Sequence, residues 1–142
     1  ETRVFTGIAP TSEENALRAA IKLSSMVDAK YIVIKLGDRG SFIYDKKEYY
    51  VIPSEKVDVV DTTAAGDVFT AVMTYVYLSN KNIISAVKYA TCAAALSVTK
   101  AGASSSIPTR AEVIAYAKNK VAAENGTADN ADAVVKDEAE EK

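Results

Sequence analysis

Histidine is absent from this 142-residue chain, which excludes imidazole catalysis and His-based metal sites and leaves a carboxylate or a less common group as any general base. Cysteine is nearly absent. The single Cys92 cannot form an internal disulfide, and its place in the alanine-rich run Tyr89 to Leu96 reads as a small buried hydrophobe with no catalytic part. Long apolar runs are lacking too. None approaches the roughly eighteen residues that a bilayer span needs, and the N-terminus has no basic-then-apolar signal pattern. A soluble, cytoplasmic protein with no membrane partner is therefore the expectation. The chain opens on Glu1 rather than methionine, so a piece of a longer polypeptide is expected.

What is present is enough for a core: 49% of the residues are hydrophobic, and the length fits one domain. Charge is uneven along the chain. Beyond Lys120 seven acids face two bases, a net of −5, which leaves +3 on residues 1–120 out of the overall −2. The basic residues are scattered and not interleaved with aromatics, which argues against a nucleic-acid partner. No internal repeat is visible.

Thr11-Ser12-Glu13-Glu14 has capping-box spacing, and Ala16, Leu17, Ala20, Ile21, Leu23 and Val27 recur at helical intervals. A helix from Ser12 to about Val27 follows. The β-branched run Tyr31 to Leu36, stopped by Gly37, predicts a strand buried on both faces of a sheet, and helix followed by strand predicts α/β layering. Ser41 to Asp45, a Lys46-Lys47 turn and Glu48 to Ile52 predict an antiparallel hairpin at the sheet edge. Val57 to Val60 leads into Asp61-Thr62-Thr63-Ala64-Ala65-Gly66-Asp67. After it, Val68 to Leu78 is apolar nearly all round and predicts a buried helix.

Asn80 to Asn82 breaks the pattern, and Ile83 to Val98 predicts a second core helix. Ala101 to Ser106 reads as a loop. Thr109 to Glu112 has the spacing of another capping box, opening a helix to about Lys120, and from Val121 onward the composition predicts an acidic, solvated tail.

The segment Asp61 to Asp67 sets small residues between two carboxylates ahead of a helix. Backbone N–H groups at a helix start carry the positive end of the dipole and can meet a phosphoryl group. A carboxylate fixed there, Asp67, could take the proton of an attacking hydroxyl. The same residues serve equally as an ordinary cap and turn, since Asp and Gly are common where helices begin.

Asp61 to Asp67 resembles the D-T-x-(G/A)-A-G-D signature of the ribokinase-like (PfkB) carbohydrate kinases, and companions stand in order on both sides. Val33 to Gly40 resembles the family's strand and glycine-bearing phosphate turn. Ala93 to Ala103 with Ser106-Ile107-Pro108 resembles the closing segment of the ribokinases in that family. Glu1 precedes Phe5-Thr6-Gly7 at the spacing of the family's N-x-x-E motif before Leu-Thr-Gly, with the motif's asparagine falling just before residue 1. The resemblance covers residues 1 to about 120.

The resemblance implies a three-layer α/β fold of which this is the C-terminal part, with the hairpin at its edge, and an ATP-dependent kinase that phosphorylates D-ribose at its terminal hydroxyl. It makes Asp67 the base and a substrate contact, and Ala64, Ala65 and Gly66 the anion hole. Lys35, Leu36, Gly37, Asp38, Arg39, Gly40, Gly66 and Thr91 become nucleotide-binding, with Thr91 beside the adenine. Asp61, Thr63, Ser97, Lys100, Gly102 and Ser106 match positions that hold an activating potassium ion, several through carbonyls, and Glu1 helps hold Mg2+ through water. A homodimer is implied for the full-length enzyme.

Each of these has a plain structural reading beside it. Gly37 and Gly40 serve as turn glycines, Lys35 and Lys100 as solvated charges, and Ser104 to Ser106 as a flexible loop. The family's sugar-gripping aspartate, Gly-rich loop and β-lid have no counterpart here, and the hairpin from Ser41 to Ile52 matches C-terminal strands rather than that lid. The chain alone is therefore expected to be inactive. A kinase for fructose, a nucleoside or 2-keto-3-deoxygluconate, and a non-catalytic nucleotide-binding piece, are the other readings.

Overall fold

The computed structural model describes residues 1–126. They divide into two compact units, one ending at Pro53 and the next beginning at Ser54. From residue 127 onward the expected acidic tail lies outside the described residues.

The first unit opens with a short helix, α1 (Thr2–Thr6), which no periodicity in five residues could announce. It ends where Gly7 takes a left-handed conformation, and the Thr6 hydroxyl donates back to the Thr2 carbonyl at 2.7 Å. Helix α2 (Glu13–Met26) starts as its cap predicts: Ser12 Oγ accepts the Asn15 N–H at 3.1 Å, with Glu13 and Glu14 set against the positive end of the dipole. Its inward stripe is small, with Ala16, Ala19 and Ala20 fully buried.

That stripe packs on a three-stranded sheet of β1 (Ile32–Lys35), β2 (Ser41–Tyr44) and β3 (Tyr49–Ile52), antiparallel throughout and in sequence order. Ile32, Ile34, Phe42 and Tyr49 meet the alanines, and the Phe42 and Tyr49 rings stack with centroids 4.9 Å apart. Burying a side chain such as Ile34 or Phe42 contributes about 1.5–3 kcal/mol. The hairpin turn is held by Asp45, whose Oδ1 accepts the N–H groups of Lys47 and Glu48, each at 2.9 Å.

One expectation is corrected here. β1 is not buried on both faces: Ile32 and Ile34 are buried, Val33 is half-buried and Lys35 is exposed. Its neighbour runs antiparallel, and in such a pairing one face takes the core while the other need not. A run of β-branched residues therefore does not by itself prove a central strand.

The second unit consists of α3 (Ala65–Asn80), α4 (Ile83–Val98) and α5 (Arg110–Gly126), preceded by an extended segment from Ser54. A two-residue connection, Lys81-Asn82, folds α3 back along α4, and Asn82 caps the second helix by accepting the Ser85 N–H at 2.9 Å. The α4 side chains Ala86, Ala90 and Ala93 are fully buried and small, which lets neighbouring helices approach closely. Cys92 is buried among Val68, Ala93 and Val113, as expected of it.

Helix α3 departs from expectation. Only Val68 and Phe69 are buried, while Tyr75 and Leu78 are 58% and 61% exposed. Apolar composition states which environment a helix favours; burial needs a facing surface, and while Val72, Met73, Val76 and Tyr77 are half-buried, the side of α3 that carries Tyr75 and Leu78 stands exposed. Helix α5 runs to Gly126, six residues beyond its expected end, because Val121, Ala122 and Ala123 extend the helix without a breaker. No helix among the described residues is long and apolar enough to cross a membrane.

Candidate active site

The start of α3 is built from backbone. Ala64, the residue before the helix, sits at φ 65°, ψ 2°, a left-handed conformation that costs a β-carbon roughly 1–2 kcal/mol, and no side chain caps the helix there. Its carbonyl nonetheless accepts the Val68 N–H at 2.9 Å, so the first turn is fully helical. Ala65 and Gly66 follow, and Asp67 stands exposed in that turn. A sixteen-residue helix directs the positive end of its dipole at this spot. Small side chains, a torsion that favours glycine and one exposed carboxylate therefore coincide at one helix end.

Asp61 fixes the approach to this turn. Its Oδ1 accepts the Thr63 N–H and its Oδ2 accepts the Gly102 N–H, both at 2.9 Å. These contacts, with the Thr63 side-chain hydrogen bond the largest and the two backbone donors following, hold the carboxyl at about 2. Above Asp61 the chain is tied again, since the N–H groups of Val60 and Asp61 both donate to the Val98 carbonyl, at 2.7 and 3.1 Å. Forty-one residues separate Asp61 from Gly102. The structure thus joins three of the expected potassium positions, Asp61, Thr63 and Gly102, at the foot of the turn that carries Asp67.

The other expected positions have different local fates. Ser97 and Ser106 are fully buried, their hydroxyls donating to the carbonyls of Ala94 and Ala103 at 2.8 Å. The Lys100 ammonium turns to Glu112 at 2.9 Å. Thr91 lies in α4 with its hydroxyl donated to the Val87 carbonyl at 2.8 Å. No local signal announces the Lys100–Glu112 pair, twelve residues apart, although Glu112 is legible as a capping-box residue.

In the first unit Lys35 to Gly40, the expected phosphate turn, form one tight reversal between β1 and β2. Leu36 N–H donates to the Gly40 carbonyl at 2.8 Å, and Gly37–Arg39 form a single 3-10 turn. Arg39 Nη2 donates to the Pro10 carbonyl at 2.6 Å. The two glycines differ. A β-carbon on Gly37 would meet nothing within 4 Å, whereas one on Gly40 would lie 2.0 Å from the Ile52 carbonyl oxygen. Gly40 is demanded by packing, while Gly37 leaves open space beside a backbone turn. Glu1 is exposed at the start of α1, its carbonyl accepting the Val4 and Phe5 N–H groups.

Residues 1–110 match the pfkB family carbohydrate kinases. The chain belongs to that family. It is 36% identical to the ribokinase of Haemophilus influenzae over 116 residues, covering 82% of this chain and 38% of that protein. It is 35% identical to maize fructokinase-1 over 92 residues, 60% of this chain and 28% of the relative.

Among solved structures, the ribokinase of Thermotoga maritima superposes with a TM-score of 0.68 at 46% identity, over 72% of this chain and 34% of that one. The Arabidopsis thaliana ribokinase complexed with ribose and ATP superposes with a TM-score of 0.77 at 29% identity, over 82% and 38%. The fold is therefore the ribokinase-like α/β fold, of which this chain carries a part. It spans between 28% and 38% of the length of these four relatives.

Proposed function

We propose that this chain is the nucleotide-binding and catalytic part, residues 1–120, of a kinase that transfers the γ-phosphoryl group of ATP to the terminal hydroxyl of D-ribose. The observation that carries this reading is the start of α3, where left-handed Ala64, with no side chain capping the helix, leads into a first turn bearing the exposed Asp67. Asp67 accepts the hydroxyl proton as that oxygen attacks phosphorus in line; the bond from phosphorus to the β,γ-bridging oxygen breaks, and ADP departs. In this reading the N–H groups of Ala64, Ala65 and Gly66 meet the charge on the transferring group, that of Ala65 giving up its 3.2 Å hydrogen bond to the Thr62 carbonyl. Lys35 to Gly40 and Thr91 serve the nucleotide. The open space beside Gly37 suits close approach of a phosphate to backbone.

Two ions accompany the reaction in this reading. Three of the expected positions meet at Asp61, its carboxylate being oriented by the Thr63 and Gly102 N–H groups, and in this reading Ser97, Lys100 and Ser106 would add further oxygens. Such a set suits a hard cation such as potassium, which supplies a fixed positive charge when bound. Among the described residues no three acidic or thiol side chains cluster as a metal site. Glu1 would help hold magnesium through water, as the family resemblance implies.

Ribose is put ahead of fructose because the segment Ala93 to Ala103 with Ser106-Ile107-Pro108 resembles the closing segment of the ribokinases. The test is ATP turnover by the full-length polypeptide carrying this chain, with D-ribose, D-fructose or a nucleoside as acceptor, with and without potassium. Ribose-dependent turnover that potassium raises is the expected result. Turnover with another acceptor alone would replace ribose, and none with any acceptor would favour a non-catalytic nucleotide-binding piece. A homodimer of that polypeptide and its cytoplasmic location belong to the same proposal.

A further inference from the structure

The loop between α4 and α5 is gripped at both ends by one carboxylate. Glu112, in the first turn of α5, receives the Lys100 ammonium on Oε1 at 2.9 Å. On Oε2 it receives the Thr109 N–H at 2.6 Å and the Thr109 hydroxyl at 2.8 Å. Lys100 and Thr109 are the residues immediately before and after the segment 101–108. A capping box accounts for the Thr109 side of this arrangement. It does not account for Lys100, whose long side chain gives up rotamer freedom to meet the same carboxylate. Hydrogen bonds to an ionised partner are about twice as strong as neutral ones, and two on opposite oxygens fix orientation as well as distance.

Inside the gripped segment lies the N–H that reaches the candidate active site. Gly102 donates to Asp61 Oδ2, and the other oxygen of Asp61 takes the Thr63 N–H, one residue before left-handed Ala64. The segment has little slack. Gly102 is at φ 91°, where a β-carbon would fall 2.4 Å from Ser105 Oγ, and Ser106 is fully buried. Hydrogen bonds therefore tie Glu112 to Lys100 and Thr109, the backbone of segment 101–108 links these to Gly102, and hydrogen bonds again tie Gly102 to Asp61 and Thr63, before the turn that presents Asp67.

We propose that Glu112 is a positioning residue for phosphoryl transfer: by clasping Lys100 and Thr109 it sets the Gly102–Asp61 contact, and through it the start of α3. The role rests on the reading of Asp67 and the α3 start given under Proposed function. Glu112 itself touches no reacting atom. Loss of the clasp loosens the Asp61 turn, and displacement of a catalytic group by about 1 Å can cost up to 100-fold in rate.

The experiment compares Glu112→Ala, Glu112→Gln and Thr109→Ala in the full-length polypeptide, reading kcat and KM for ATP and acceptor together with amide hydrogen exchange at Gly102 and Thr63. Thr109→Ala removes a capping hydroxyl but leaves its N–H and Lys100 on Glu112, so it separates cap from clasp. Glu112→Ala is expected to lower kcat about 10- to 100-fold, to change KM for the acceptor by less than about twofold, and to expose both amides to exchange. Glu112→Gln, which keeps hydrogen-bonding capacity but loses the charge that holds Lys100, is expected to fall between wild type and Glu112→Ala. Thr109→Ala is expected to keep kcat within about twofold and both amides protected.

Unchanged kcat and unchanged protection in Glu112→Ala would overturn the proposal. So would an equal loss in Thr109→Ala, which would reduce Glu112 to a helix cap. If wild type turns over no acceptor, the catalytic reading falls separately, and loss or retention of protection at Gly102 and Thr63 still decides whether the clasp exists. Should Glu112→Ala fail to fold, Glu112→Gln against Thr109→Ala carries the same comparison.

Discussion

Gly37 and Gly40 stand three residues apart in one turn and should respond very differently to the same substitution. In Gly37→Ala the new methyl group meets nothing within 4 Å, and only the left-handed torsion, φ 65°, opposes it. That strain is about 1–2 kcal/mol, offset by about 0.4–1 kcal/mol from a less flexible unfolded chain, so the net loss lies between about 0 and 1.6 kcal/mol. In Gly40→Ala the backbone is at φ 95°, ψ −138°, close to territory that only glycine occupies, at a cost of about 1–3 kcal/mol.

The methyl group of Gly40→Ala would also lie 2.0 Å from the Ile52 carbonyl oxygen and 2.8 Å from two backbone carbons of Pro53. None of these is a side chain that can turn away, so overpacking adds about 1–3 kcal/mol. Gly40→Ala should therefore lose about 2–6 kcal/mol, a large part of the 5–15 kcal/mol typical of a folded domain. Urea unfolding of both variants, followed by circular dichroism, measures the difference. With a slope of about 2 kcal/mol per molar and a difference of about 3 kcal/mol, the midpoint of Gly40→Ala should lie about 1.5 M below that of Gly37→Ala. Coincident midpoints would show that β3 does not cross the turn as described, and that the turn glycines answer to a ligand rather than to packing.

Asp67→Asn removes the proposed base and should lower ribose-dependent kcat at least 100-fold, with KM for ATP altered little; near-normal turnover would remove Asp67 from that role. Ala64→Gly relieves a left-handed alanine and should change stability by less than about 1 kcal/mol in the stabilising direction, read as a small rise in the thermal midpoint. Asp61 and Glu112 both titrate at about 2 in the folded protein, below their ordinary values of 3.8 and 4.5. Their contribution is thus complete above about pH 4.5 and lost as pH falls towards 2. Urea midpoints taken between pH 7 and pH 3 should fall more steeply for wild type than for Asp61→Asn, and parallel slopes would show that Asp61 is not held as described.

Local signals carried most of the architecture. The Ser12 cap with its alanine periodicity placed α2, the Thr109–Glu112 box placed the start of α5, and Lys46-Lys47 between two β-rich runs placed the hairpin. What escaped depended on partners distant in sequence. Whether Val33 faces a core, or Tyr75 and Leu78 find a covering surface, is decided by what packs there, and side-chain apolarity records only the preference. Within the candidate site, Asp61, Ala64 and Asp67 were marked by their motif. The left-handed torsion at Ala64 leaves no trace in an alanine, although the glycine-or-alanine place of the signature that Asp61 to Asp67 resembles is consistent with it. The Asp61–Gly102 and Lys100–Glu112 contacts link loop residues that no period connects.

The two-residue connection between α3 and α4 also has a kinetic side. Helices joined so closely find one another through contacts near in sequence, the kind that form early and fast. The Asp61–Gly102 hydrogen bond encloses that whole hairpin, and closing so long a loop costs entropy that nothing repays until the hairpin is in place. Helix pairing is therefore expected to precede closure of the Asp61 turn. In this order of events the chain acquires its helices first and the geometry of its candidate site last.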